Sequence, residues 1–147
     1  MLKKNLQLIK EKKYGNKFIE GDILNLPFLE QKFDSVWAIA ALHMIPSKEL
    51  RKRAVGEIKR VLKPGGLMVL TVPFGKALVN NQQRVYDKKG LDTLLSGFLV
   101  KEIKFFKNTQ VVEGNNYWEQ ITLMEAESLH YISGTECVCC LSALKDN

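Results

Sequence analysis

The sequence predicts an α/β layer fold on a mainly parallel sheet with an antiparallel last strand, and three stretches carry that expectation. FDSVWAIAAL (residues 33–42) and LMVLTVP (67–73) are short, nearly continuous apolar runs, the pattern of parallel strands covered on both faces. Between them, Leu50, Ala54, Ile58 and Leu62 recur at four-residue steps and lay an apolar stripe along one helix face. Strand, helix, strand in that order is the unit from which α/β layers are assembled.

Local chemistry sets the bounds of each element. Ser47 supplies the side-chain oxygen that caps a helix over 48–62, and Pro64-Gly65-Gly66 stops it, because proline breaks the hydrogen-bond ladder and glycine accepts a left-handed turn. Upstream, residues 3–13 have helical composition and end at Tyr14-Gly15-Asn16, after which KFIEGDI (17–23) has the pattern of a short strand. Beyond Pro73 the polar stretch VNNQQRVYD forms a loop leading to a helix capped by Asp87, with Leu91, Leu94, Leu95 and Phe98 facing inward. LVKEIKFFK (99–107) and ECVCCLSAL (136–144) are the last strands, and residues 107–135 show no clear period.

With 147 residues, 46% of them apolar, the chain is long enough for a single domain over 1–147. Its net charge of +6 is spread out, and the densest basic stretch, SKELRKRAVGEIKR, interleaves carboxylates, which describes a solvated helix face better than a nucleic-acid stripe. No stretch is apolar enough to span a bilayer and MLKKNLQLIKEKK has no signal-peptide core, so a cytoplasmic protein without membrane contact is expected. Cys137, Cys139 and Cys140 alternate like buried strand thiols and have no second ligand pair elsewhere, so no metal is expected; their odd count argues against a disulfide framework. Nucleophile-elbow, Walker-loop and zinc motifs are all missing from the sequence.

Three linked blocks, FIEGDILNLPF, FDSVWAIAALHMI and EIKRVLKPGGLMVLTVP, resemble the third, fourth and fifth strand regions of the class I S-adenosylmethionine-dependent methyltransferases. The resemblance covers about residues 5–106, and RVYDKKGLDTLLSGFLVKEIKFF is similar to a poorly characterised branch of that superfamily. It implies a doubly wound, Rossmann-like sheet and S-adenosylmethionine as cofactor. The family's glycine-rich first turn, which lets backbone approach the cofactor, and the acidic residue that holds its ribose are not in this sequence. The resemblance therefore implies an incomplete sheet, a truncated domain and weak or no activity for this chain.

By the same resemblance, Asp22 accepts from the cofactor's adenine amino group, Ile23 packs on the ring and Ala38 leaves room for the methionine part. His43, at the mouth of the fourth strand region, is a candidate catalytic base, since imidazole titrates near neutral pH. Arg84 and Tyr86 are candidates for binding an anionic group of a small-molecule substrate. In the family's strand order the missing first strand leaves the edge of the 33–42 strand open, a hazard that KFIEGDI, a second copy or a partner chain would have to cover. Three functions follow: a small-molecule methyltransferase domain, a non-catalytic interaction or regulatory module derived from one, or a basic nucleic-acid binder, the least favoured of the three.

Overall fold

The computed structural model describes residues 18–77, 85–112, 115–131 and 137–146. Its main sheet contains β1 (Phe33–Ile39), β2 (Leu62–Pro73), β4 (Phe98–Val112), β5 (Asn115–Ile121) and β7 (Cys137–Lys145), in the order β1-β2-β7-β4-β5. A two-residue β3 (Lys76–Ala77) pairs in parallel with β6 (His130–Tyr131) beside it. The helices are α1 (Lys48–Val61), α2 (Lys88–Leu94) and α3 (Leu123–Ser128). The α/β class expected from the sequence is observed.

The balance of strand directions is finer than the sequence suggested. β1 pairs β2 in parallel, Ala38 opposite Leu70, but β7 enters antiparallel between β2 and β4, with Leu70 opposite Leu141 and Ile103 opposite Leu141 on the other side. β1, β2 and β4 therefore point one way while β7 and β5 oppose them. The sheet is mixed, because the last strand is used in its middle and one added hairpin strand, β5, extends its edge.

Helix α1 forms where the stripe predicts it. The Ser47 hydroxyl accepts the Leu50 N–H at 3.2 Å, and Ala54, Val55, Ile58 and Val61 are buried. Replacing Ser47 by alanine should cost about 1 kcal/mol in a thermal or urea melt, with the strand content unchanged. The helix ends at Val61 and Leu62 is already extended (φ −74°, ψ 138°); Pro64, two residues on, bars helical geometry at Lys63, so the helix cannot resume. Gly66 is required for another reason: a Cβ there would sit 2.8 Å from the Lys63 carbonyl oxygen, against the start of β2.

Alternation along the strands sorts the core. Met68, Leu70 and Val72 of β2, and Cys137, Cys139, Leu141 and Ala143 of β7, point to the side that also holds Ala54, Ile58, Leu91 and Leu94. On the opposite side Trp37 is 68% exposed, Ile39 53% and Leu99 56%. The expectation of strands covered on both faces is corrected: among the described residues the helices cover one face, and β1 buries only Ala38.

A second correction concerns KFIEGDI, whose described part, Phe18–Ile23, forms no strand. Asp22 Oδ1 accepts the Leu24 N–H at 2.9 Å and its carbonyl accepts the Asn25 N–H at 3.0 Å, so this carboxylate closes a turn. The expected helix over 3–13 lies outside the described residues. After the turn comes a loop, residues 24–28, pinned by α1. Arg53 Nε donates to the Leu24 carbonyl, Glu57 Oε2 accepts the Leu26 N–H at 2.8 Å, and Arg60 donates to the carbonyls of Leu26 and Phe28. The interleaved charges read as a merely solvated face are in part a clamp.

Candidate functional site

The site is built where β1 and β2 end. Ile39 pairs with Thr71, and the next residue, Ala40, takes a left-handed φ of 50° while its N–H donates to Thr71 Oγ1 at 2.9 Å. A non-glycine residue in that region stores conformational strain, and such strain collects at ligand-binding turns. The chain then makes a single 3-10 turn, Leu42–Met44, before entering α1. Arg51 of α1 is buried and donates through Nη1 to the carbonyls of Ile45 and Pro46 at 2.6 and 2.9 Å, which fixes the turn to the helix.

Beside this turn, along the open edge of β1, lies a mostly apolar hollow of about 320 Å³. Ile23, Trp37, Ala38, Ile39 and Ile58 line it, with Gly21 at its rim. Two of the three residues expected to touch a cofactor, Ile23 and Ala38, thus share one cavity although they are 15 positions apart in the sequence. Asp22 is not among the lining residues; its exposed side chain has one oxygen committed to the Leu24 N–H. A planar apolar group fits this hollow by its lining, whereas no acidic side chain there could hold a pair of ribose hydroxyls.

His43 sits on the 3-10 turn and is 7% exposed, with no hydrogen-bond partner for Nδ1 among the described residues. Burial lowers its pKa below 6.5, because the surroundings disfavour the charged ring, so the imidazole is neutral at pH 7. The linkage sign follows: the folded state binds the proton more weakly than the unfolded chain, so stability is full above pH 6.5 and falls as pH drops toward the lowered value. His43→Phe should remove that acid-side slope in pH-dependent melts and leave stability near pH 8 unchanged or higher, since no described residue pairs with the buried Nδ1.

Tyr86 is buried at the far end of β2, its N–H donating to the Pro73 carbonyl and its own carbonyl accepting the Gly75 N–H, both at 3.0 Å. Gly75 is essential to this crossing: its φ is 125° and a Cβ would lie 2.7 Å from the Leu129 carbonyl oxygen. Tyr86 lines a separate hollow of about 200 Å³ between α1 and α2 with Lys48, Lys52 and Lys89. His43 lines neither hollow, and Arg84 lies outside the described residues. The Glu57–Arg60 clamp and the Thr71–Ala40 contact were missed in the sequence, and only the i, i+3 spacing of the former hinted at a pair.

The three thiols behave as core groups. Burial pushes Cys137 up to about 11 and Cys139 up to about 12, and raises Cys140 as well, so none is a ready nucleophile. Among the described residues, no three His, Cys, Asp or Glu side chains are placed to hold a metal ion, and no helix is long and apolar enough to cross a membrane.

Residues 1–70 match the family model described as a methyltransferase domain, and residues 44–122 match that described as Caenorhabditis protein of unknown function, DUF268. The tRNA (carboxymethyluridine(34)-5-O)-methyltransferase of Arabidopsis thaliana is 40% identical over 58 residues, which are 40% of this chain and 14% of that protein. A SAM-dependent methyltransferase of Methanosarcina mazei superposes with a TM-score of 0.60 at 18% identity, over 86% of this chain and 65% of the other. A structure of the Haloferax volcanii Trm112 methyltransferase activator in complex with a methyltransferase matches at a TM-score of 0.55 and 16% identity, over 86% and 60%. The chain spans less than a third of the length of the curated relatives it matches.

Fold and matched segments together set the class: the fold is that of solved S-adenosylmethionine-dependent methyltransferases, and residues 1–70 match the methyltransferase-domain model. The family model over residues 44–122 takes in more than half of the sequence, including the Arg84–Phe106 stretch, and the chain belongs to the family described as Caenorhabditis protein of unknown function, DUF268.

Proposed function

We propose that this chain carries the adenine and acceptor sides of an S-adenosylmethionine site, and that alone it binds the donor weakly and transfers methyl groups slowly or not at all. The observation that supports this most is the meeting of Ile23 and Ala38 in one apolar hollow beside the strained turn at Ala40. Ile23 would pack on the adenine, Ala38 would leave room for the methionine part, and the Asp22 carboxylate has an oxygen left to accept from the adenine amino group. S-adenosylmethionine, when bound, supplies the electrophilic methyl carbon. His43, neutral near pH 7, would accept the acceptor's proton, and Tyr86 with Arg84 would hold an anionic part of a small-molecule acceptor. The sequence contains no glycine loop to approach the donor, and methyl transfer depends mainly on alignment, which is why a low rate is expected.

Titration with S-adenosylmethionine, followed by amide NMR of the whole chain, tests the reading. Shifts confined to Ile23, Ala38 and Ala40, with a dissociation constant in the range of about 0.1–5 mM, are expected. No shift of these amides at about 5 mM donor would refute it.

A second reading, a non-catalytic interaction module in the cytoplasm, draws on a different observation. Among the described residues no strand pairs with the outer edge of β1, and Trp37 and Ile39 are exposed beside it, a surface that a partner chain or a second copy would cover. The activator complex among the similar structures lends this reading support by analogy. Donor titration separates the two, since a purely structural module leaves the Ile23 and Ala38 amides unmoved.

A further inference from the structure

The hollow between α1 and α2 has a chemistry of its own. Lys48 and Lys52 of α1 and Lys89 of α2 line it together with Tyr86, Thr93 and Gly90. It continues into a wider groove of about 600 Å³ past Lys52, Gly56 and Lys59. Among the described residues none of Lys48, Lys52 and Lys89 forms an ion pair, although ion pairs occur elsewhere on the surface.

One carboxylate lines the hollow and another the groove, and each has a partner of its own. Asp87 Oδ1 accepts the Gly90 N–H at 2.7 Å as the cap of α2, and Asp92 is paired with Lys88. Lys59, farther along the groove, places its ammonium over the Phe98 ring at 5.8 Å. Arg51, which forms part of the wall, is spent on the Ile45 and Pro46 carbonyls. Three ammonium groups thus face a concavity whose described lining holds one carboxylate, Asp87, with Glu49 acting on Lys48 and Lys52 from the same helix. Their mutual repulsion is relieved by an anion of high charge density, and flexible ammonium groups suit the tetrahedral, multiply charged phosphate better than a flat carboxylate.

We propose that this hollow binds a phosphorylated small molecule, its phosphate held between the Lys48, Lys52 and Lys89 ammonium groups and its body lying against Tyr86. A volume of about 200 Å³ suits one small ligand, whereas a polymer backbone would run along an extended stripe. The inference deepens the acceptor side of the function proposed above by naming a substrate class, and it rests on that reading only through Tyr86. None of its lining residues is shared with the hollow at Ile23 and Ala38, so the two sites report separately.

The test uses amide NMR of the whole chain at low salt with three probes: ribose 5-phosphate, ribose and a short oligouridylate. Ribose 5-phosphate should shift the amides of Lys52, Gly56, Lys89 and Gly90, ribose should not, and the K48A/K52A/K89A variant should bind the phosphate ester about tenfold or more weakly. All three lysines are solvent-exposed helix positions, so the variant should keep its fold, and the shifts in the unmodified chain stand as evidence even without it. Silence of these four amides, equal binding of ribose and its phosphate, or binding of the oligouridylate alone would overturn the proposal. Donor binding, seen at Ile23 and Ala38 in the same spectra, shows independently whether the methyltransferase reading stands.

Discussion

Replacing Phe74 by alanine should lower the unfolding free energy by about 3–5 kcal/mol and bring the chain close to its stability limit. Phe74 is 1% exposed at the point where β2 leaves the sheet, with its ring centroid 4.6 Å from that of Phe105 on β4. Its N–H donates to the Cys137 carbonyl at 3.1 Å, so the ring is held where β2, β4 and β7 meet. Neither neighbour can refill the space, since Phe105 is anchored in its own strand and Gly75 tolerates little movement against Leu129. Urea unfolding followed by far-ultraviolet circular dichroism measures the loss; a cost below about 1.5 kcal/mol would mean that the site collapses onto the cavity. Phe74→Leu, which keeps most of the volume, should cost markedly less.

The second large effect is expected at Glu57. Its carboxylate takes two hydrogen bonds from Arg60, at 2.8 Å each, and one from the Leu26 N–H, also 2.8 Å. The Arg60 guanidinium, followed by the Leu26 N–H, holds the pKa of Glu57 down to about 2 from 4.5. A lowered carboxylate pKa stabilises the fold fully above pH 4.5, and the contribution is lost as pH falls from there toward 2. The side chain of Glu57 is 17% exposed and that of Arg60 34%, so water screens part of the attraction. Glu57→Ala should therefore cost about 2 kcal/mol near pH 7, and the difference from the parent should shrink as pH falls below 4.5. Melting curves between pH 3 and 7 check both the size and the convergence. Donor binding should weaken as well, because the clamp holds the loop that follows Ile23 at the rim of the hollow.

What the sequence revealed depended on whether the cause was local. The Ser47 and Asp87 caps and the apolar runs of β1 and β2 are each fixed by neighbours within a few positions and are found, whereas of the stripe on α1 only Ala54 and Ile58 are buried on the helix, Leu50 being exposed and Leu62 belonging to β2. Residues 18–23 have strand composition, but no described strand pairs with them, and the Asp22 side chain closes a turn there instead. β5 owes its existence to its partner: Phe105 faces Ile121 and Lys107 faces Glu119, a match that no period within NNYWEQI announces. α3 had a readable sign in Thr122 and Glu125, whose side chains cap each other's backbone N–H groups in the structure. As for the site, Ile23 and Ala38 were visible only through the resemblance, and the basic hollow was hidden because Lys52 and Lys89 come from helices that the tertiary fold brings side by side.

The place of β7 has a bearing on how the molecule is made. Its partners are β2, about 70 residues earlier, and β4, more than 30 residues earlier, so the two halves of the sheet share no ladder until it arrives. High contact order of this kind slows folding. During synthesis, β2 and β4, paired on their other sides with β1 and β5, would each keep the edge that faces β7 unpaired until residues 137–145 emerge from the ribosome, a period in which a chaperone would find them.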